Sequence, residues 1–85
     1  MQRDIIVGET YRHVNGNYYR VICIANDTTV NENGKPRQLV VYESMGSDHR
    51  IWVRPYDLFN ALNTNEDNSM CQKYRFEIIS DHIDM

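Results

Sequence analysis

Trp52 and Arg54 are the two side chains of this 85-residue chain whose types and spacing point most directly to recognition chemistry. They stand two apart in Ile51-Trp52-Val53-Arg54, a stretch that reads as a strand. Pleating therefore puts them on one face and Ile51 and Val53 on the other. Ile51 and Val53 are the expected core pair, which leaves Trp52 and Arg54 on the less buried face. A tryptophan beside an arginine stacks flat groups and binds anions, so a nucleotide, a peptide carboxylate or a single-stranded base suits it. In the plainer reading, Trp52 covers the end of a barrel and Arg54 caps carbonyls or pairs with Asp57 or Glu43. Tyr42, in the preceding strand, joins Trp52 on one face if the two strands run antiparallel; the plainer alternative is a satisfied, half-buried tyrosine. His13 titrates near neutral pH and could act as acid or base if Glu43 or Asp57 came within hydrogen-bond reach; otherwise it is a turn histidine.

Stronger chemistry is not written in the chain. Three histidines and two cysteines are scattered with no CxxC or HxxxH spacing, so no metal is expected. Ser44, Ser47, Ser69 and Ser80 lie in no nucleophile elbow, and Cys23, inside an apolar run, reads as an inert core residue. The four glycines form neither a phosphate loop nor a dinucleotide fingerprint, and no cofactor is expected. Asp27, Glu32 and Glu43 make no evident carboxylate pair. An enzyme would have to assemble its site from distant residues, so no catalytic residue is assigned.

The totals narrow the class. Eighty-five residues support one domain, with a core expected over about residues 8–79 and a frayed tail over 80–85. A hydrophobic content of 41% with 11% aromatics is enough for a globular core. The net charge is −3, and no Lys/Arg run is longer than the interrupted Lys35-Pro36-Arg37, which disfavours nucleic acid as a partner. Only Ile5-Ile6-Val7 stands where a signal sequence would need a long apolar run, and no membrane-spanning stretch is present. A cytoplasmic protein with reduced cysteines, monomeric or weakly dimeric, is the expectation.

The elements that must position the candidates are short and mostly extended. Gly8 to Val14 reads as a first strand, turned by Asn15-Gly16. Tyr18 to Ala25 is apolar on both faces and reads as a central strand. Asn26 to Arg37 is polar and contains the Asn33-Gly34 turn; it reads as a long connection that could cover a site as a lid. Gln38 to Ser44 and His49 to Arg54 are the third and fourth strands. Pro55 ends the ladder and opens a helical turn whose Leu58, Phe59 and Leu62 form one apolar stripe. A polar stretch, Asn63 to Ser69, leads to a fifth strand over Lys73 to Ile79. The expected fold is all-β: a small five-stranded SH3-like, partly open barrel with one short helical turn.

Tyr11-Arg12-His13, Gly16, Tyr19-Arg20-Val21, Leu39-Val40-Val41-Tyr42, Trp52-Val53-Arg54-Pro55, Phe59 and Arg75-Phe76 resemble, in order and spacing, the pattern of a bacterial family named domain of unknown function 1653. The most specific parts are YRH and WVRP. Asn26-Asp27-Thr28-Thr29 departs from the family's usual His-Ser-Glu-Thr-like stretch, and the chain looks lengthened near Asn31 to Arg37. The resemblance implies a small SH3-like barrel of bacterial or phage origin; the family carries no established activity, so the resemblance speaks to fold more than to function.

Two functions follow. The first is a non-enzymatic module that binds a small anionic or aromatic ligand, or an extended peptide along an open strand edge, through Trp52, Arg54, Tyr42 and His13. The alternative is a nucleic-acid-binding accessory domain, which would need a basic patch from Arg12, Arg20, Arg50, Arg54 and Arg75.

Overall fold

The computed structural model describes residues 3–63 and 73–79. Five strands form one antiparallel sheet in the order β4-β3-β2-β1-β5. They are β1 (Thr10–His13), β2 (Tyr18–Glu32), β3 (Lys35–Ser44), β4 (Ile51–Pro55) and β5 (Phe76–Ile78), with a single helical turn, α1 (Tyr56–Phe59), after β4. The architecture is all-β and not closed, with the apolar second strand in the centre, as its sequence requires. The tail over 80–85, Cys71, Ser69 and His82 lie outside the described residues. No helix among the described residues is long and apolar enough to cross a membrane.

The polar segment 26–37 is not a lid. It continues β2 and begins β3 as a hairpin arm, with Glu32 opposite Lys35 across a two-residue turn. Asn33 (φ 55°) and Gly34 (φ 78°) both have positive φ, the turn that matches strand twist and that Asn-Gly supplies without strain. A register shift between Asp27 and Asn31 accommodates the polar residues. There the Asp27 carboxylate accepts the Thr29 N–H (2.8 Å) and hydroxyl (2.7 Å). The β-branched Thr28, Thr29 and Val30 suit an extended chain, and the hairpin turn outweighs the polarity.

One face of the sheet carries the core: Tyr11, Val21, Val40, Tyr42 and Phe76, joined by Ile5 and by Phe59 of α1. Phe59 and Phe76 stack with centroids 4.0 Å apart, and Tyr11 and Tyr42 meet Phe59 edge-on. In a flat sheet β3 and β5, three places apart, would be separated by roughly 14 Å. The Tyr42 and Phe76 rings nevertheless stand 5.7 Å apart. The sheet is curled, so its two edges, β4 and β5, approach each other across the aromatic cluster and leave a seam.

The curl decides several positions against expectation. Ile51 and Val53 are 58% and 56% exposed on the outer face, while Trp52 and Arg54 face the core side. Aliphatic character favoured Ile51 and Val53 as core, but the interior is filled by rings, and the pleat had to choose one pair. Cys23 is exposed, not buried. A bulge between Val21 and Cys23 inserts Ile22 and reverses the alternation, so Val21 points inward and Cys23, opposite Val41, points outward. Leu58 and Leu62 are exposed as well, because the helix is one turn long and buries only Phe59.

Candidate functional site

Register alone brings three of the four candidate residues near each other. Tyr42 lies opposite Trp52, and Val40 opposite Arg54, so Tyr42, Trp52 and Arg54 share the inner face. His13 comes from the far side of the seam: it ends β1 opposite Phe76 of β5. Curling closes the distance, and His13, Tyr19, Tyr42, Trp52, Arg54 and Phe76 line one hollow of about 170 Å³. A cavity of about 150 Å³ is enough for a benzene-sized molecule.

Arg54 crosses the seam. Its guanidinium lies 5.3 Å from the centre of the Phe76 ring, although β4 and β5 occupy opposite edges of the sheet. The carboxylates expected to pair with it are engaged elsewhere. Glu43 pairs with Arg20 on the outer face at 2.5 Å, and Asp57 with Arg37 at 3.6 Å. No acidic side chain among the described residues lines the hollow. Burial pushes the Tyr42 phenol up from its ordinary pKa, and Arg54 beside it pulls back down.

His13 has no carboxylate partner among the described residues either. Its Nδ1 accepts the Asn15 N–H at 3.0 Å, which in a neutral ring leaves the proton, and a hydrogen-bond donor, on Nε2. The ring meets Phe76 edge-on at 4.6 Å and Tyr19 at 6.3 Å. Burial lowers its pKa below the ordinary histidine value; the Asn15 side chain pulls the other way, and Arg54 and Arg75 lower it further. General-base chemistry of the kind considered for His13 with Glu43 or Asp57 therefore has no oriented partner.

Trp52 differs from the other rings. His13, Tyr19, Tyr42 and Phe76 are packed against one another. Trp52 is 43% exposed and has no aromatic partner among the described residues. The hollow thus combines a free indole face, a half-buried cation with no anion among the described residues that line it, and an imidazole donor. That set can hold a flat ring and one negative group. No group of three or more His, Cys, Asp or Glu side chains among the described residues could hold a metal ion.

Sequence reasoning missed Tyr19 and Phe76 as lining residues. Tyr19 was legible, since it precedes the inward Val21 by one pleat period. Phe76 was not, because only the curl brings β5 to β4. Of the arginines expected to form a basic patch in a nucleic-acid binder, Arg20 pairs with Glu43 on the outer face and Arg50 lies 3.9 Å from Asp48, while Arg54 and Arg75 both act on His13.

No curated protein and no solved structure matches the chain. A family model does, over residues 9–78, the span that contains all the strands and every lining residue of the hollow. The chain belongs to the family described as protein of unknown function DUF1653.

Proposed function

We propose that this protein is a non-enzymatic binding module whose seam between β4 and β5 takes a small ligand carrying a flat ring and one anionic group. The observation that carries this reading is Arg54: a half-buried guanidinium over an aromatic ring, beside a free indole face, with no carboxylate among the lining residues. A cation in such a place attracts an anion more strongly than one in open water, because the surroundings screen it less. The ring of the ligand stacks on Trp52, its anionic group pairs with Arg54, and His13 Nε2–H supplies a second donor.

Trp52 is the single tryptophan, so its fluorescence reports the site directly. Titration with benzoate and other non-fluorescent aromatic anions is expected to change that fluorescence, and Arg54→Gln, which keeps a donor for the Tyr42 phenol, to abolish the response while leaving the melting temperature in place. A full panel of aromatic anions with no effect on Trp52 emission would refute the reading.

A further inference from the structure

The hollow adjoins a larger one. A second hollow, of about 380 Å³, is lined by Asn17, Ser44, Met45, Ser47 and Asp48, and shares Tyr19 and Trp52 with the first. Trp52 therefore stands between two compartments of opposite character. On one side are Arg54 and His13. On the other are an acid, hydroxyls and an amide. Together the two reach the volume range of about 300–1,000 Å³ typical of small-molecule sites.

The acidic end is held in place. Ser44 is 9% exposed, its hydroxyl donating to Asp48 Oδ1 at 3.0 Å and accepting the Arg50 N–H at 3.1 Å. Asp48 Oδ2 meets Arg50 Nε only at 3.9 Å, and the carboxylate side of the residue stays well exposed. An ionised carboxylate has about four acceptor sites, so Asp48 keeps capacity for a ligand donor. Position 50 continues the register of β4, with Ser44 N–H bonded to the Arg50 carbonyl at 2.8 Å. Positions 50, 52 and 54 therefore lie in line on one face, spanning roughly 13 Å of strand.

We propose, on the basis of that reading of the seam, that the two hollows together take a two-ended ligand: a planar heterocycle bearing an exocyclic amine, with an anionic arm. The ring lies on Trp52, the amine donates to Asp48, and the arm reaches Arg54. A simple aromatic acid is too short to meet both ends. A nucleoside monophosphate has the required sequence of amine, ring and anion.

Four probes separate the ends: adenosine 5′-monophosphate, the same nucleotide without its 6-amino group, adenosine, and inorganic phosphate, each titrated against Trp52 fluorescence. The amino nucleotide is expected to bind about ten-fold or more tighter than its des-amino analogue, the scale of a hydrogen bond to a charged group. Asp48→Asn should collapse that ratio toward one, and Arg54→Gln should bring the nucleotide down to adenosine's affinity, with Arg54→Lys recovering part of it. Unchanged melting curves show that the variants are folded. Equal binding of the amino and des-amino nucleotides, with benzoate still bound, overturns the two-ended ligand and leaves the simpler anion-binding reading standing. Silence toward all the probes and toward benzoate removes both. Binding of a short single-stranded oligonucleotide but not of the mononucleotide would replace this proposal with a polymer partner.

Discussion

Two arginines meet the aromatic interior of this barrel, and only one of them is finished. Arg3 donates from Nε to Asn60 Oδ1 at 2.6 Å and from its terminal nitrogen to the Phe76 carbonyl, while its guanidinium covers Tyr74 at 3.8 Å. Asn60, 4% exposed, returns the bond by donating to the Arg3 carbonyl at 2.8 Å. Arg54 meets the ring of the same Phe76, and its neighbours in the hollow are the Tyr42 phenol, His13 and Trp52, with no carboxylate among the described residues that line it. The residue types are alike; the accounting of donors is not. A buried guanidinium with its donors satisfied closes a structure, and one with donors to spare in a hollow waits for an acceptor.

The severest way to break this comparison is to remove what both arginines lean on. Phe59 is fully buried and stacks on Phe76 at 4.0 Å. Phe59→Ala should cost about 3–5 kcal/mol, near the whole stability of a small domain at roughly 5 kcal/mol. Loss of the cooperative thermal transition by circular dichroism is expected. A folded Phe59→Ala protein that still presents Trp52 normally would show that the seam is not held by the aromatic stack.

The two arginines should then separate in urea melts. Arg3→Ala strands the Asn60 side-chain oxygen and the Phe76 carbonyl, a loss of about 1–3 kcal/mol. Arg54→Ala takes one partner from the buried Tyr42 phenol and should cost about 1 kcal/mol, less than Arg3→Ala, which breaks two hydrogen bonds. Equal losses at the two sites would make Arg54 a structural residue and end the distinction. Trp52→Leu is the next smaller test. The ring has no aromatic partner among the described residues, so stability should fall by under about 1 kcal/mol while the response to an aromatic anion, read by calorimetry, disappears. A fall as large as that of Phe59→Ala would place Trp52 in the core after all.

How far this was legible in the sequence depends on which interaction is local. Strand parity put Trp52 and Arg54 on one face and Tyr42 with them, since it follows from the pleat. Which face was the inner one depended on the aromatic cluster, and that is assembled by long-range curling; Ile51 and Val53 were therefore misplaced. Asn33-Gly34 was readable as a turn, but its two-residue hairpin geometry carried the strands through Asn26 to Arg37, where polarity suggested a loop. The bulge at Ile22 has no local signal and turned Cys23 outward. His13 was readable as a polar residue at a strand end. Its place across a hollow from Arg54 comes from β5 pairing with β1, which no spacing along the chain records.

The smallest expected effect sharpens the comparison by asking what Arg54 does to a neighbour. Burial, with Arg54 and Arg75 adding to it, lowers the His13 pKa, so the folded state binds fewer protons than the unfolded chain, whose histidine titrates near 6.5. Stability therefore rises with pH. The contribution is fully present above about pH 6.5 and is lost as pH falls from there through the lower folded value. His13→Gln should flatten this part of the stability profile. Arg54→Gln removes one of the two repelling cations and should raise the His13 pKa, read from its imidazole carbon-bound proton by NMR titration. An anion seated on Arg54 should do the same, so ligand binding takes up protons and tightens modestly below pH 6.5. Arg3 binds the Phe76 carbonyl and is not among the cations that act on His13, so its loss should leave that titration unmoved. If Arg3→Ala shifts the His13 pKa as much as Arg54→Gln does, the two arginines share one field and the seam is not a separate site.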